Sequence, residues 1–288
     1  MAIAVKVRKN ATQKCSISSR ESTMSNDKPE GETRLILVDI GANLADSAFH
    51  PDLSQVLARA QAVGVTQLVV TGTNVEQSQK ALQLTTQYPG TLFATAGIHP
   101  HQANQLNSST LQELAELATA PAVKAIGECG LDFNRTAASK ETQIEAFEAQ
   151  IELAAQLKLP LFLHERDAFK TQHDIIANYR DSLGDIVIHC FTGEKNQAFR
   201  YLDINCHLGI TGWICDDRRG YHLHDFVGDI PLNRLMIESD APYLMPRVKP
   251  KLKLAKSGRN EPCTLPHVLQ TIAEHSKHSQ AEIAAQTR

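Results

Sequence analysis

The side chains best equipped for chemistry here are imidazoles and carboxylates placed where apolar runs stop. Glu128 ends such a run in Ala125-Ile126-Gly127-Glu128-Cys129-Gly130-Leu131-Asp132. Gly127 and Gly130 leave room beside it for backbone or ligand. His99 and His101 flank Pro100 in Gly97-Ile98-His99-Pro100-His101, a turn stiffened by the proline. His164 is followed by Glu165, Arg166 and Asp167; His189 by Cys190, Phe191, Thr192 and Gly193; and Glu238-Ser239-Asp240-Ala241-Pro242 closes the last run. One histidine at such a place is more often a core or capping residue. Several on converging segments, with carboxylates among them, suit a divalent ion whose shell water completes. Asp240 is then free to take a proton from a bound water, or to ligate. No G-x-S-x-G elbow is present, which disfavours a serine nucleophile.

Elements must bring these residues together. Apolar runs rich in Val and Ile read as buried parallel strands over 35–40, 67–71, 91–96, 123–127, 161–164, 186–189, 207–210 and 234–239. Segments of helical spacing lie between and after them, over 51–63, 75–88, 109–118, 141–157, 168–183, 195–204, 220–227 and 265–275. Eight strand–helix repeats in 288 residues fit a single-domain α/β chain, a closed (β/α)₈ TIM barrel. A doubly wound sheet fits less well, because Gly41-Ala42-Asn43-Leu44 after the first strand offers no G-x-G-x-x-G. In a barrel the reactive residues belong at the C-terminal rim of the strands. His99, His101, Glu128, His164, His189 and Asp240 all fall there, and Asp39 and Asn43 stand near the first strand's end.

Net charge is −3, so nucleic-acid binding would need a local basic patch. Arg166, Arg218 and Arg219 supply one set of cations near the rim, and Arg247, Lys249, Lys251, Lys253, Lys256 and Arg259 crowd the loop after the last strand. Together they outline a polyphosphate path. Trp213, the sole tryptophan, follows strand seven, where it could stack on a base or simply pack. The six cysteines are scattered without a C-x-x-C pair, which points to reduced thiols and a cytoplasmic location. Cys129 and Cys190 read as small buried fillers. No apolar run approaches the length of a membrane span.

Residues 1–33 differ in composition: basic up to Arg20, then polar from Met24. They read as a disordered extension or as a start placed too early, with Met24 the true start; the composition also has features of a transit peptide.

From about residue 35 to 287 the chain resembles the TatD family of metal-dependent deoxyribonucleases. The carriers are the His99, Glu128, His164 and His189 motifs already quoted, Glu238-Ser239-Asp240-Ala241-Pro242-Tyr243-Leu244, and Arg259-Asn260-Glu261-Pro262. Jointly they are specific, though none is alone. The wider family opens with two histidines where this chain has Gly41 and Asn43, a departure that looks like the TatD branch proper. The resemblance implies Mg²⁺ or another divalent ion centred on Glu128, His164 and His189, with Asp240 nearby as the catalytic group. One ion is expected and a second is left open. His99, His101 and Arg166 would line the site as substrate-binding residues. The implied activity is 3′-to-5′ exonuclease hydrolysis of single-stranded DNA and RNA by a monomer, with a link to DNA repair. The alternative is a metal-dependent amidohydrolase acting on a small C–N substrate; the basic loops favour phosphate. A third reading is a binder that keeps a relic site. Family members usually carry a further short helix and an apolar tail, so this chain, ending at Thr287-Arg288, is expected to be truncated.

Overall fold

The computed structural model describes residues 35–135 and 137–288. The expectation for residues 1–33 lies outside that range. Eight strands alternate with helices: β1 (Leu37–Ala42), β2 (Val65–Val70), β3 (Leu92–Ala96), β4 (Val123–Asp132), β5 (Leu161–Arg166), β6 (Ile186–Ile188), β7 (Cys206–Ile210) and β8 (Leu235–Ile237). Each pairs in parallel with the next. The seam between β8 and β1 is drawn shut by backbone bonds just beyond β8: Asp240 N–H donates to Gly41 O at 2.9 Å, and Asn43 N–H to Ala241 O at 2.7 Å. The architecture is the (β/α)₈ barrel that the periodicity predicts.

The outer layer is α1 (Leu53–Ala62), α2 (Val75–Gln87), α3 (Ser108–Ala118), α4 (Lys140–Leu157), α5 (Phe169–Tyr179), α6 (Lys195–Asp203), α7 (Tyr221–His224) and α8 (Leu265–Glu274). Local chemistry starts several of them. Asn74, Asn107 and Ser139 each accept a bond from a backbone N–H in the first turn, satisfying donors the helix leaves orphaned. Val56, Phe147, Ile151, Tyr201, Leu269 and Ile272 bury the helix faces against the barrel wall. Inside the barrel, Ala125, Phe162 and Val187 pack with Ile40 and Met236, forming a layer below the rim.

Several boundaries depart from the sequence reading. The segment 168–183 is α5 followed by a separate 3₁₀ turn, Arg180–Ser182. The segment 220–227 contracts to the single turn of α7. After α8 there is a further short helix, α9 (Gln280–Gln286), which the periodicity missed. Ser279 and Glu282 cap it reciprocally, and it buries Ile283 and Ala284. The largest shift is in β4 and β5, which run on past Glu128 and His164 to Asp132 and Arg166. Among the described residues no helix is long and apolar enough to cross a membrane, and the described cysteines 129, 190, 206, 215 and 263 are free thiols.

Candidate metal centre

Glu128 lies within β4, at an irregularity in its pairing with β5. Gly127 faces Phe162 and Cys129 faces Leu163, so Glu128 is left over as a bulge residue. Bulges re-aim side chains, and this one turns the carboxylate in among the histidines. The two glycines make it possible. A Cβ on Gly127 would lie 2.1 Å from Phe162 O, and one on Gly130 would lie 2.1 Å from His164 O. Both residues have positive φ, 143° and 125°. Glu128 N–H donates to Gly72 O at 2.7 Å, which ties the bulge to the loop after β2.

Three imidazoles converge on one oxygen. Glu128 Oε1 lies 2.8 Å from His189 Nε2, 3.0 Å from His164 Nδ1 and 3.3 Å from His99 Nε2. Ligating atoms of His99, Glu128 and His164 all lie within 4.8 Å of one another, close enough to share an ion, and His189 Nε2 reaches the same Glu128 oxygen. The remaining ring nitrogens separate their roles. His99 Nδ1 accepts the His101 backbone N–H at 3.0 Å. That lone pair is therefore used, the ring proton sits on Nε2, and His99 faces Glu128 as a donor. His189 Nδ1 lies 3.4 Å from Glu238 Oε2, and His164 Nε2 lies 3.3 Å from Asp132 Oδ2. Each of those rings can give a proton to an outer carboxylate, and with an ion beside Glu128 its other nitrogen would turn a lone pair to that ion, the usual carboxylate–histidine–metal arrangement. His101 Nε2 meets the same Asp132 oxygen at 2.6 Å. The donor set of the chain thus fits a divalent ion.

The site is buried and rich in acid. Glu128, Asp132, Glu238 and His189 are each at most 5% exposed. Burial alone would raise Glu128, but His189, His99 and the bond from His164 hold its carboxyl well below the usual range. Burial opposes protonation of His189 and His164, yet their carboxylate partners hold both rings above the ordinary histidine value. His99 is lowered by burial, consistent with a neutral donor. Burial pushes Asp240 up to about 8, with His189 opposing and Glu238 and Glu128 adding to the rise. Burial likewise raises the Cys129 thiol, with Glu128 adding, so it is no thiolate nucleophile.

The matching residues cover nearly all the described chain. A family model described as "TatD related DNase" matches residues 38–288. The chain belongs to the TatD-related DNase family. Among its relatives, an Erwinia billingiae protein named 3'-5' ssDNA/RNA exonuclease TatD is 46% identical over 238 residues, 82% of this chain and 90% of its own length. A Salmonella typhimurium protein of the same name is 45% identical over the same shares of both chains. The crystal structure of a TatD family hydrolase from Entamoeba histolytica superposes with a TM-score of 0.79 at 26% identity, covering 89% of this chain and 96% of that one.

Within this TatD-family barrel, most of the site residues named from sequence gather at one place: His99, His101, Glu128, His164 and His189 in direct contact. Asp240 stands beside them, with Asn43 Nδ2 donating to its Oδ1 at 3.1 Å. Arg166 lies further out, its Nη1 donating to Thr192 Oγ1 at 3.3 Å. The outer carboxylates Asp132 and Glu238 stand within the sequence motifs, and only the fold shows that they support His164 and His189. Parity offered a signal: Glu238 and Asp240 are two apart, and Glu128 and Asp132 four apart. Glu238 also explains Gly41, since a Cβ there would fall 2.4 Å from Glu238 Oε2. Asp39 is placed in the seam, accepting from Ser239 N–H at 2.9 Å. Arg259 is not on a polyphosphate path. It is 7% exposed and clamped by Asp52 at 2.7 Å and Glu261 at 2.6 Å.

Proposed function

We propose that this protein is a Mg²⁺-dependent 3′-to-5′ exonuclease on single-stranded DNA and RNA. The observation that carries this is the pairing of His164 and His189 with outer carboxylates while both face Glu128. The polarity and substrate follow the printed names of relatives at 45–46% identity.

Glu128, His164 and His189 would hold one ion. When bound, it would supply a Lewis acid for the scissile phosphate and lower the pKa of a water. The chain's own residues do the rest. Asn43 fixes one oxygen of Asp240; burial holds that carboxyl up, the charge of a bound ion would favour its ionised form, and its other oxygen then accepts the proton of the attacking water. His99 Nε2–H and Arg166 donate to phosphoryl oxygens as charge builds there. Asp132 and Glu238 keep the ring protons of His164 and His189 turned away from the site. The reading extends to a cytoplasmic monomer linked to DNA repair.

The test is nucleotide release from 3′-labelled and from 5′-labelled single strands, in Mg²⁺ and in EDTA. Wild type degrades them from the 3′ end in Mg²⁺ only. Glu128→Ala loses at least about a hundredfold, beyond the range for residues that merely orient a ligand. Strands left intact by wild type in Mg²⁺ and in Mn²⁺ would sink the proposal.

A further inference from the structure

Beside the metal centre the end of β5 and the loops after β5, β6 and β7 line an open cavity of about 460 Å³, with Arg166, Lys170, Thr192, Gln197 and Trp213 among its walls. We propose that this cavity seats one nucleotide of the single strand, its base stacked on Trp213 and its phosphate held by Arg166; this rests on the nuclease reading above.

The volume falls in the range that holds small organic ligands. Its position is set by the chain: Arg166 is two residues beyond His164, and Thr192 three beyond His189. A strand entering the metal centre must therefore leave a neighbouring nucleotide within reach of this space. Trp213 is held ready. Its Nε1–H donates to Arg219 O at 3.1 Å, and the Arg219 guanidinium lies 4.2 Å from the ring centroid. Arg166 lies 5.7 Å from the same ring. An indole fixed among guanidinia is a platform for a base, since every base offers a π-face.

The charge around it suits a polyanion. Asp216 alone meets Arg218 at 3.3 Å, Arg219 at 2.9 Å and Arg247 at 3.1 Å. Three cations share that carboxylate, and counting the exposed Asp217 still leaves the group positive. Arg166 is bonded to the Thr192 hydroxyl and, among the described residues, to no carboxylate. Two acids also line the cavity, each held in place by a neutral donor: Glu165 accepts Ala168 N–H at 2.8 Å, and Asp167 accepts from Asn134 at 2.6 Å, so the positive excess comes from the arginines around Asp216. Lys170 is tied to Asp174 at 2.7 Å, so Arg166 is the cation aimed at a phosphate.

Trp213 is the sole tryptophan, so its emission reports on this cavity directly. Fluorescein-labelled oligothymidylate is titrated into wild type in EDTA, and into Asp240→Asn in Mg²⁺, with anisotropy for binding and tryptophan emission for stacking. A matched strand of abasic residues serves as the phosphate-only control. Oligothymidylate is expected to quench the emission at saturation, while the abasic strand binds and leaves it unchanged. Trp213→Leu should weaken oligothymidylate binding roughly fivefold or more, and Trp213→Phe should retain most of it. Circular dichroism melts confirm that both variants fold. Binding and hydrolysis without quenching, and with Trp213→Leu as tight as wild type, would overturn the seat while leaving the nuclease intact. Absence of hydrolysis by wild type in Mg²⁺ would instead remove the nuclease reading itself.

Discussion

At the scale of single residues, the site is arranged by which nitrogen of each ring is occupied. His99 spends Nδ1 on the His101 backbone and so remains a donor. His164 and His189 each face Glu128 with one nitrogen and an outer carboxylate with the other. Asp132 has further duties, because its Oδ1 accepts the backbone N–H groups of Asn134 and Arg135 at 2.9 and 2.8 Å. Replacing it with Asn keeps the shape and an acceptor oxygen but removes the charge that makes His164 a strong ligand. Asp132→Asn is expected to weaken Mg²⁺ binding by about tenfold or more. Titration calorimetry on the folded variant measures this, and affinity equal to wild type would exclude Asp132 from the centre's support.

At the scale of elements, buried glutamines on the outer helices hold the strand ends. Gln150 of α4 accepts Ile98 N–H at 2.7 Å and donates to Ile98 O at 3.1 Å, one residue before His99. Gln143, also on α4, accepts Asp132 N–H at 2.8 Å and donates to Asp132 O at 2.9 Å. Gln172 of α5 accepts Leu131 N–H at 2.9 Å. Backbone at a strand's end or in the loop beyond it still needs partners where a ladder neighbour is missing, and these side chains supply them. Gln150→Leu keeps the volume but strands two backbone groups of Ile98, at a cost of about 1–3 kcal/mol each where no water replaces the bond. A lower urea midpoint and a reduced rate of nucleotide release are both expected, because His99 shifts with Ile98. A loss of stability with the rate unchanged would show that Gln150 serves the fold alone.

At the scale of the whole barrel, closure places acid in the interior. Asp39 is fully buried in the β8–β1 seam, and its Oδ2 finds no hydrogen-bond partner among the described residues. Burial raises its pKa from 3.8 to about 7, with the bonds from Ser239 opposing. Between those values the folded chain binds more protons than the unfolded one. Stability therefore falls as pH rises through that window and levels off above it. Asp39→Asn keeps an acceptor for Ser239 and removes the titration. Its urea midpoint should fall less steeply than that of wild type between about pH 4 and pH 7. Parallel curves for the two proteins would show that Asp39 does not titrate in this range. A separate brace spans α1 and the segment before α8, where Arg59 and Arg259 meet the fully buried Glu261 at 2.7 and 2.6 Å.

The alternation of apolar runs with amphipathic segments determined the barrel, because parallel strands buried on both faces leave a pattern that local reading can see. It also placed the reactive residues on one rim, since a strand's end in sequence is the rim in space. Contacts between distant segments were decided only by folding. The bulge at Glu128 exists relative to β5, and no property of β4 alone reveals a missed partner. The proton positions on His99, His164 and His189 depend on carboxylates and backbone groups from other strands. Arg259 looked like a ligand for phosphate beside the lysines of its loop, yet Asp52 and Glu261 bury it, 207 and 2 residues away. Charge is written in the sequence, but whether a charge faces solvent or a partner is fixed by what the fold packs against it.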